Sequence, residues 1–292
     1  MSKTVNYELV LKEAAGLPLV KIDRKKFLRT ALKNHYPQNM IDQAVEHNPA
    51  YAGISAEQIK KIAKASINYE AAKVTALSFA AGIPGGLAMI GAIPADLTQY
   101  LAHILRILQK LAYLYGWEDF YLGEGIDDET ANLLTLFVGV MFGINGAAQA
   151  INKIAASAAQ RAEKAIAQKA LTKGTIYPIV KKIAQILGIR MTKDIFAKGV
   201  SKIIPVIGGF ASGTLTLFTY KPMAKKLRKY LEELPCADVG YYKRMPNNSE
   251  LIDVEFDEDF VAHTLEALDY ELKSEEKELA ELEKRYSHND QF

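Results

Sequence analysis

Cysteine is almost missing from this 292-residue chain: Cys236 stands alone, so no intramolecular disulfide can form and a thiolate-rich zinc site is excluded. A reducing, cytoplasmic setting is the expectation. The first residues, MSKTVNYELVLKEAAG, contain acids and no apolar core of signal-peptide length, so secretion is not expected. Five histidines, His35, His47, His103, His263 and His288, are scattered and form no metal-ligand spacing, so no metal site is assigned. Missing too are a G-x-S-x-G elbow and an H-E-x-x-H helix, and no catalytic residue is nominated. The glycine-rich stretch GIPGGLAMIG lacks the Lys and Ser/Thr of a phosphate loop, and its glycines fail dinucleotide spacing, so no cofactor is expected. Aromatic residues interleaved with basic ones are few and no nucleic-acid motif occurs, so no nucleic-acid partner is expected.

Alternating strand patterns are also wanting, and nearly every periodic segment repeats at helical spacing. The fold class expected is all-α, a multi-helix bundle with Gly/Pro-rich apolar interhelical hairpins. Four parts are read along the chain: a helical extension over 1–54, a helical core over 55–234, a linker over 235–256 and an acidic helical tail over 257–292. Asp23 is placed to cap one helix, and Ser55 with Gln58 forms a capping box ahead of another. One helix should stop at Gly116, and a single long one should run from Asp127 or Asp128 to about Ala170. A further helix is expected after Pro178, and Pro222 should kink or break the last helix of the core. The tail repeats leucines at heptad-like spacing, interrupted by Glu275, which makes a weak coiled-coil seam.

Charge is segregated. From Asn152 through Leu231 there are 16 Lys and Arg against two acids, whereas from Leu251 onward there are 14 acids against four bases. Basic residues beside amphipathic helices suit an anionic lipid surface; the plainer reading is an ordinary solvated face. Lys181, Lys182, Lys225, Lys226, Arg228 and Lys229 are the candidate lipid-binding charges. The acidic tail could compete with an anionic membrane for the basic stretch, or simply be a solvated helix.

Three windows carry no charge: Val74–Ala95 with 22 residues, Thr130–Asn152 with 23 and Ile203–Tyr220 with 18. Each approaches spanning length, yet glycines, prolines and amides interrupt them, so buried core and membrane insertion both stay open. Gly82, Pro84, Gly85, Gly86, Gly91 and Pro94 are read as a tight hairpin between two helices. Pro94 and Asp96 then suit the first turn of the helix that follows. On that helix Asp96, Gln99, His103, Arg106 and Lys110 recur at three- and four-residue steps, opposite an apolar seam from Leu97 to Leu111. The expected reading is the wet face of a surface helix. The alternative, a buried polar network or ligand site, names Asp96, His103 and Arg106.

The stretch IPGGLAMIGAIPADLTQYLAHILRILQKLAYLYGW, with KGVSKIIPVIGGFASGTLTLFTYKPMAKKLRKYLEE, resembles the EcsC family of bacterial proteins over about Ser55 to Glu233. What the resemblance implies is a bacterial protein working at or near the membrane: the founding member is encoded beside an ABC-transporter operon, and no catalytic residues can be carried over. A non-enzymatic accessory or scaffold protein, bound to anionic lipid or a membrane protein at the inner face of the cell membrane, is the expectation. A membrane-permeabilising effector and a soluble ligand binder or enzyme are the alternatives.

Overall fold

The computed structural model describes residues 7–79, 95–121, 126–159, 173–187 and 212–244. They form an all-α bundle of ten α-helices: α1 (Tyr7–Gly16), α2 (Arg24–Leu32), α3 (Gln38–Glu46), α4 (Ala56–Phe79), α5 (Ala95–Leu114), α6 (Asp128–Met141), α7 (Asn145–Ala159), α8 (Lys173–Ile186), α9 (Ser212–Glu232) and α10 (Val239–Lys243). The hairpin residues Gly82, Pro84, Gly85, Gly86, Gly91 and Pro94 lie outside the described residues, as do the tail, most of the first uncharged window and half of the third.

Local chemistry sets several helix starts. Ser55 and Gln58 close the capping box in both directions, the Gln58 amide N–H donating to Ser55 Oγ at 3.3 Å and the Ser55 N–H to Gln58 Oε1 at 3.0 Å. Asp23 accepts from the Lys26 N–H at 2.9 Å and Asp127 from the Thr130 N–H at 2.7 Å, each satisfying an amide that the helix cannot.

The position of α5 organises the rest. It touches α1, α2, α4, α6 and α9, and every described side chain from Tyr100 to Tyr115 is buried. A helix surrounded on all sides must be apolar almost all round. Leu101, Ile104, Leu105 and Leu108 have no exposed surface, each contributing roughly 1.5–3 kcal/mol by burial. The helices of the first 54 residues share this core: α1 lies along α5, and Val10, Leu11, Phe27 and Leu28 join the same apolar cluster.

Gly116 ends α5 as expected. Its φ is +96°, and the Trp117 N–H reaches back to the Ala112 carbonyl at 3.0 Å, the bond of a Schellman stop. A Cβ built there would lie 2.5 Å from the Cys236 carbonyl oxygen. Gly116→Ala therefore meets backbone strain and a rigid neighbour together and is expected to cost about 1–3 kcal/mol, read as a lowered urea midpoint.

Two expectations are corrected. The long helix from Asp127 is broken into α6 and α7 at Gly143, whose φ is +77° and whose follower, Ile144, donates to the Gly139 carbonyl at 2.8 Å. Thus Thr130–Asn152 is two short helices packed on each other, with Gly139 so close to Ala147 that a Cβ would lie 2.7 Å from its methyl. Proline breaks neither late helix: α9 runs through Pro222 and α8, beginning at Lys173, through Pro178. Residues 235–244, the first part of the expected linker, form a 3-10 turn and α10 and pack on the bundle. Ala237 is buried, and Tyr242 Oη accepts from Asn48 Nδ2 at 2.9 Å.

Candidate functional site

Glu70 on α4 is completely buried and meets two cations from α5. Arg106 forms a fork on it, Nε to Oε2 at 3.2 Å and Nη2 to Oε1 at 3.1 Å, while Lys110 Nζ lies 2.9 Å from Oε1. Positions 106 and 110 are one turn apart, so both heads reach the same carboxylate. Lys110 also sits 5.3 Å above the Phe27 ring and 5.5 Å above that of Tyr69, which supports a desolvated ammonium by cation–π attraction. Burial alone would raise the Glu70 pKa, but the Arg106 and Lys110 charges outweigh it and hold the carboxyl well below its ordinary value.

The same face of α5 grips the chain between α1 and α2. Arg106 Nη1 donates to the Leu19 carbonyl. Leu19 has a φ of 65°, the one non-glycine residue in the left-handed region among the described residues. Gln109 donates to the Val20 carbonyl at 2.8 Å and accepts from the Ile22 N–H at 2.9 Å, replacing the helical bonds this segment lacks. Arg24, buried at the start of α2, donates to the carbonyls of Trp117 at 3.0 Å, Val45 at 2.7 Å and His47 at 2.5 Å.

His103 lies one turn before Arg106 and is also buried, with neither ring nitrogen hydrogen-bonded among the described residues. Burial pushes its pKa down to about 4; Glu70 opposes that shift, and Arg106 and Lys73 add to it. Tyr220 of α9, fully buried, donates to the His103 main-chain carbonyl at 3.3 Å.

The polar stripe is therefore no wet face, which corrects the surface reading. His103, Arg106 and Lys110 converge inside the bundle because α4, α9 and the α1–α2 connection cover them. Gln99 is half-buried, and the side chain of Asp96 lies outside the described residues. Glu70 is the member that sequence reasoning missed. Its signal was a single carboxylate on the apolar stripe Ile59, Ile62, Ala63, Ser66, all of them buried.

The candidate lipid-binding residues separate into two groups. Lys181 and Lys182 on α8, and Lys225, Lys226 and Lys229 on α9, are exposed. Arg228 differs from them: it is half-buried, paired with Glu232 and hydrogen-bonded to Tyr115. Lys226 extends over Gly143, its Nζ 2.7 Å from where a Cβ would stand, at the negative end of the α6 dipole. Lys221, which the sequence reading passed over, is exposed and completes a row Lys221, Lys225, Lys229 with one residue per turn.

Among the described residues no group of three or more His, Cys, Asp or Glu is placed to hold a metal ion. None of their helices is long and apolar enough to cross a membrane. No protein-family model, curated protein or solved structure matches the chain.

Proposed function

We propose that the chain is a non-enzymatic accessory or scaffold protein that lies on the anionic inner face of a bacterial membrane, as its resemblance to the EcsC family implies. The observation that carries this reading is the row Lys221, Lys225 and Lys229, exposed on α9 and in no ion pair among the described residues. The charges inside the bundle, by contrast, serve one another: Glu70 is held by Arg106 and Lys110, and Arg106 is further engaged with the Leu19 carbonyl. That leaves the interior as a clamp for the α1–α2 connection, and the outward chemistry to the lysines.

Each lysine near an anionic bilayer contributes about 1 kcal/mol, so the row supplies about 3 kcal/mol, enough for reversible attachment only. Lys181 and Lys182 would add to it. Reversible attachment of this size suits an accessory to a membrane protein, an ABC transporter in the family's case.

The test is cosedimentation of the full chain with phosphatidylserine-containing and with pure phosphatidylcholine vesicles across a salt series. Binding to the anionic vesicles alone, weakened by salt, is expected. Lys221→Glu, Lys225→Glu and Lys229→Glu together should abolish it, and undiminished binding by that triple variant would overturn the assignment. Salt-resistant binding to both vesicles would replace it with insertion of apolar hairpins.

A further inference from the structure

We infer that the lysine row of α9 is a docking surface for the chain's own acidic segment Asp253–Asp259, which thereby competes with the membrane. The inference rests on the lipid-binding reading for its consequence, though the contact itself can be tested apart from lipid.

Spacing is the first argument. Lys221, Lys225 and Lys229 succeed one another every four residues on one side of α9, so at 1.5 Å per residue their stems recur about every 6 Å. In the segment DVEFDED, Asp253, Glu255, Asp257 and Asp259 alternate with other residues. An extended peptide of that sequence repeats its side chains at about 6.6–6.8 Å on one face. Were the segment to dock in extended form, three lysines and three or four carboxylates would run side by side.

Charge is the second. Asp253–Asp259 holds five acids and no base, the densest acidic run in the chain. Neither Glu232 nor Glu233 takes its place on the row: Glu232 already serves Lys60 at 3.3 Å as well as Arg228, and Glu233 is in no ion pair with the row. Single surface pairs contribute little, but a run of matched pairs between two charged faces adds, and it acts at high effective concentration when both belong to one molecule.

Reach is the third. The described residues end at Arg244, just past α10, and only eight residues lie between Arg244 and Asp253. Those eight residues make nine Cα–Cα steps, up to about 30 Å of chain when extended, and the row from Lys229 to Lys221 is about 12 Å long.

The experiment compares the full chain with the variant carrying Asp253→Asn, Glu255→Gln, Asp257→Asn and Asp259→Asn. Both are acetylated with an amine-reactive ester, and the rate is read for each lysine by mass spectrometry. Lys221, Lys225 and Lys229 should react several-fold more slowly in the wild type, the difference should vanish at high salt, and exposed Lys25 on α2 should react alike in both. Equal rates at the row would overturn the docking. In parallel, the variant should bind phosphatidylserine vesicles several-fold more tightly at low salt. Slower labelling with no vesicle binding by either protein keeps the docking and discards the lipid reading; equal labelling with equal vesicle binding does the reverse.

Discussion

Glu70→Gln is expected to lower the unfolding free energy by about 3–5 kcal/mol, a large share of the 5–15 kcal/mol that typically holds a protein folded. The carboxylate is fully buried and shared by Arg106 and Lys110, which are themselves buried. An amide of the same shape keeps one acceptor but removes the negative charge, leaving two buried cations without the carboxylate that faces both of them. The urea midpoint should fall while the slope of the transition stays near that of the wild type. Adding Lys110→Met to Glu70→Gln should recover part of the loss, since one of the orphaned charges is then replaced by an apolar chain of similar length. A Glu70→Gln protein within 1 kcal/mol of wild type, a bound well below that estimate, would show that the cluster contributes nothing. The carboxyl also has a pH signature. Its pKa is depressed in the folded protein, so its stabilisation is complete above the ordinary glutamate range and is lost as pH falls through the lower folded value.

The contrast between what was legible in the sequence and what was not follows the range of the interactions. Asp23, Ser55 with Gln58, and Asp127 bond to amides within three residues of themselves, so a short window contains the whole interaction, and all of these helix starts are found. Gly116 was legible for the same reason. Gly143 was hidden because Asn145 and Gln149 read as polar positions on a continuing helix; what breaks the helix is a left-handed glycine whose neighbour folds α7 back onto α6. The polar stripe of α5 could be read as a stripe, but whether it faces water depends on how many elements surround α5. Glu70, which gives the stripe its meaning, lies 36 residues from Arg106, beyond any local pattern. Turn-forming residues after Leu234 do form turns, yet Tyr242, meeting Asn48 across 194 positions, makes them part of the bundle.

His103 should make the protein lose stability on mild acidification, before Glu70 is protonated. An unfolded histidine takes up a proton near pH 6.5, whereas the buried His103 ring resists until about pH 4, because burial penalises the cation and Arg106 and Lys73 repel it, against the attraction of Glu70. The folded pKa is the lower one, so the neutral ring stabilises the fold fully above pH 6.5 and that contribution is lost as pH falls toward 4. Over the whole interval the loss comes to about 3 kcal/mol, of which roughly 2 kcal/mol is gone by pH 5. His103→Leu removes the titrating group and two buried nitrogens that no described residue satisfies, and should stay within about 1 kcal/mol of wild type at pH 7. At pH 5 the leucine variant should unfold at the higher urea concentration. Urea titrations of the two proteins at pH 7, 6 and 5 decide the matter: stability curves that run parallel would mean that His103 is protonated as easily in the folded chain as in the unfolded one. Curves that diverge would mean that His103 stays neutral in the folded chain at physiological pH and adds no charge beside Glu70, Arg106 and Lys110.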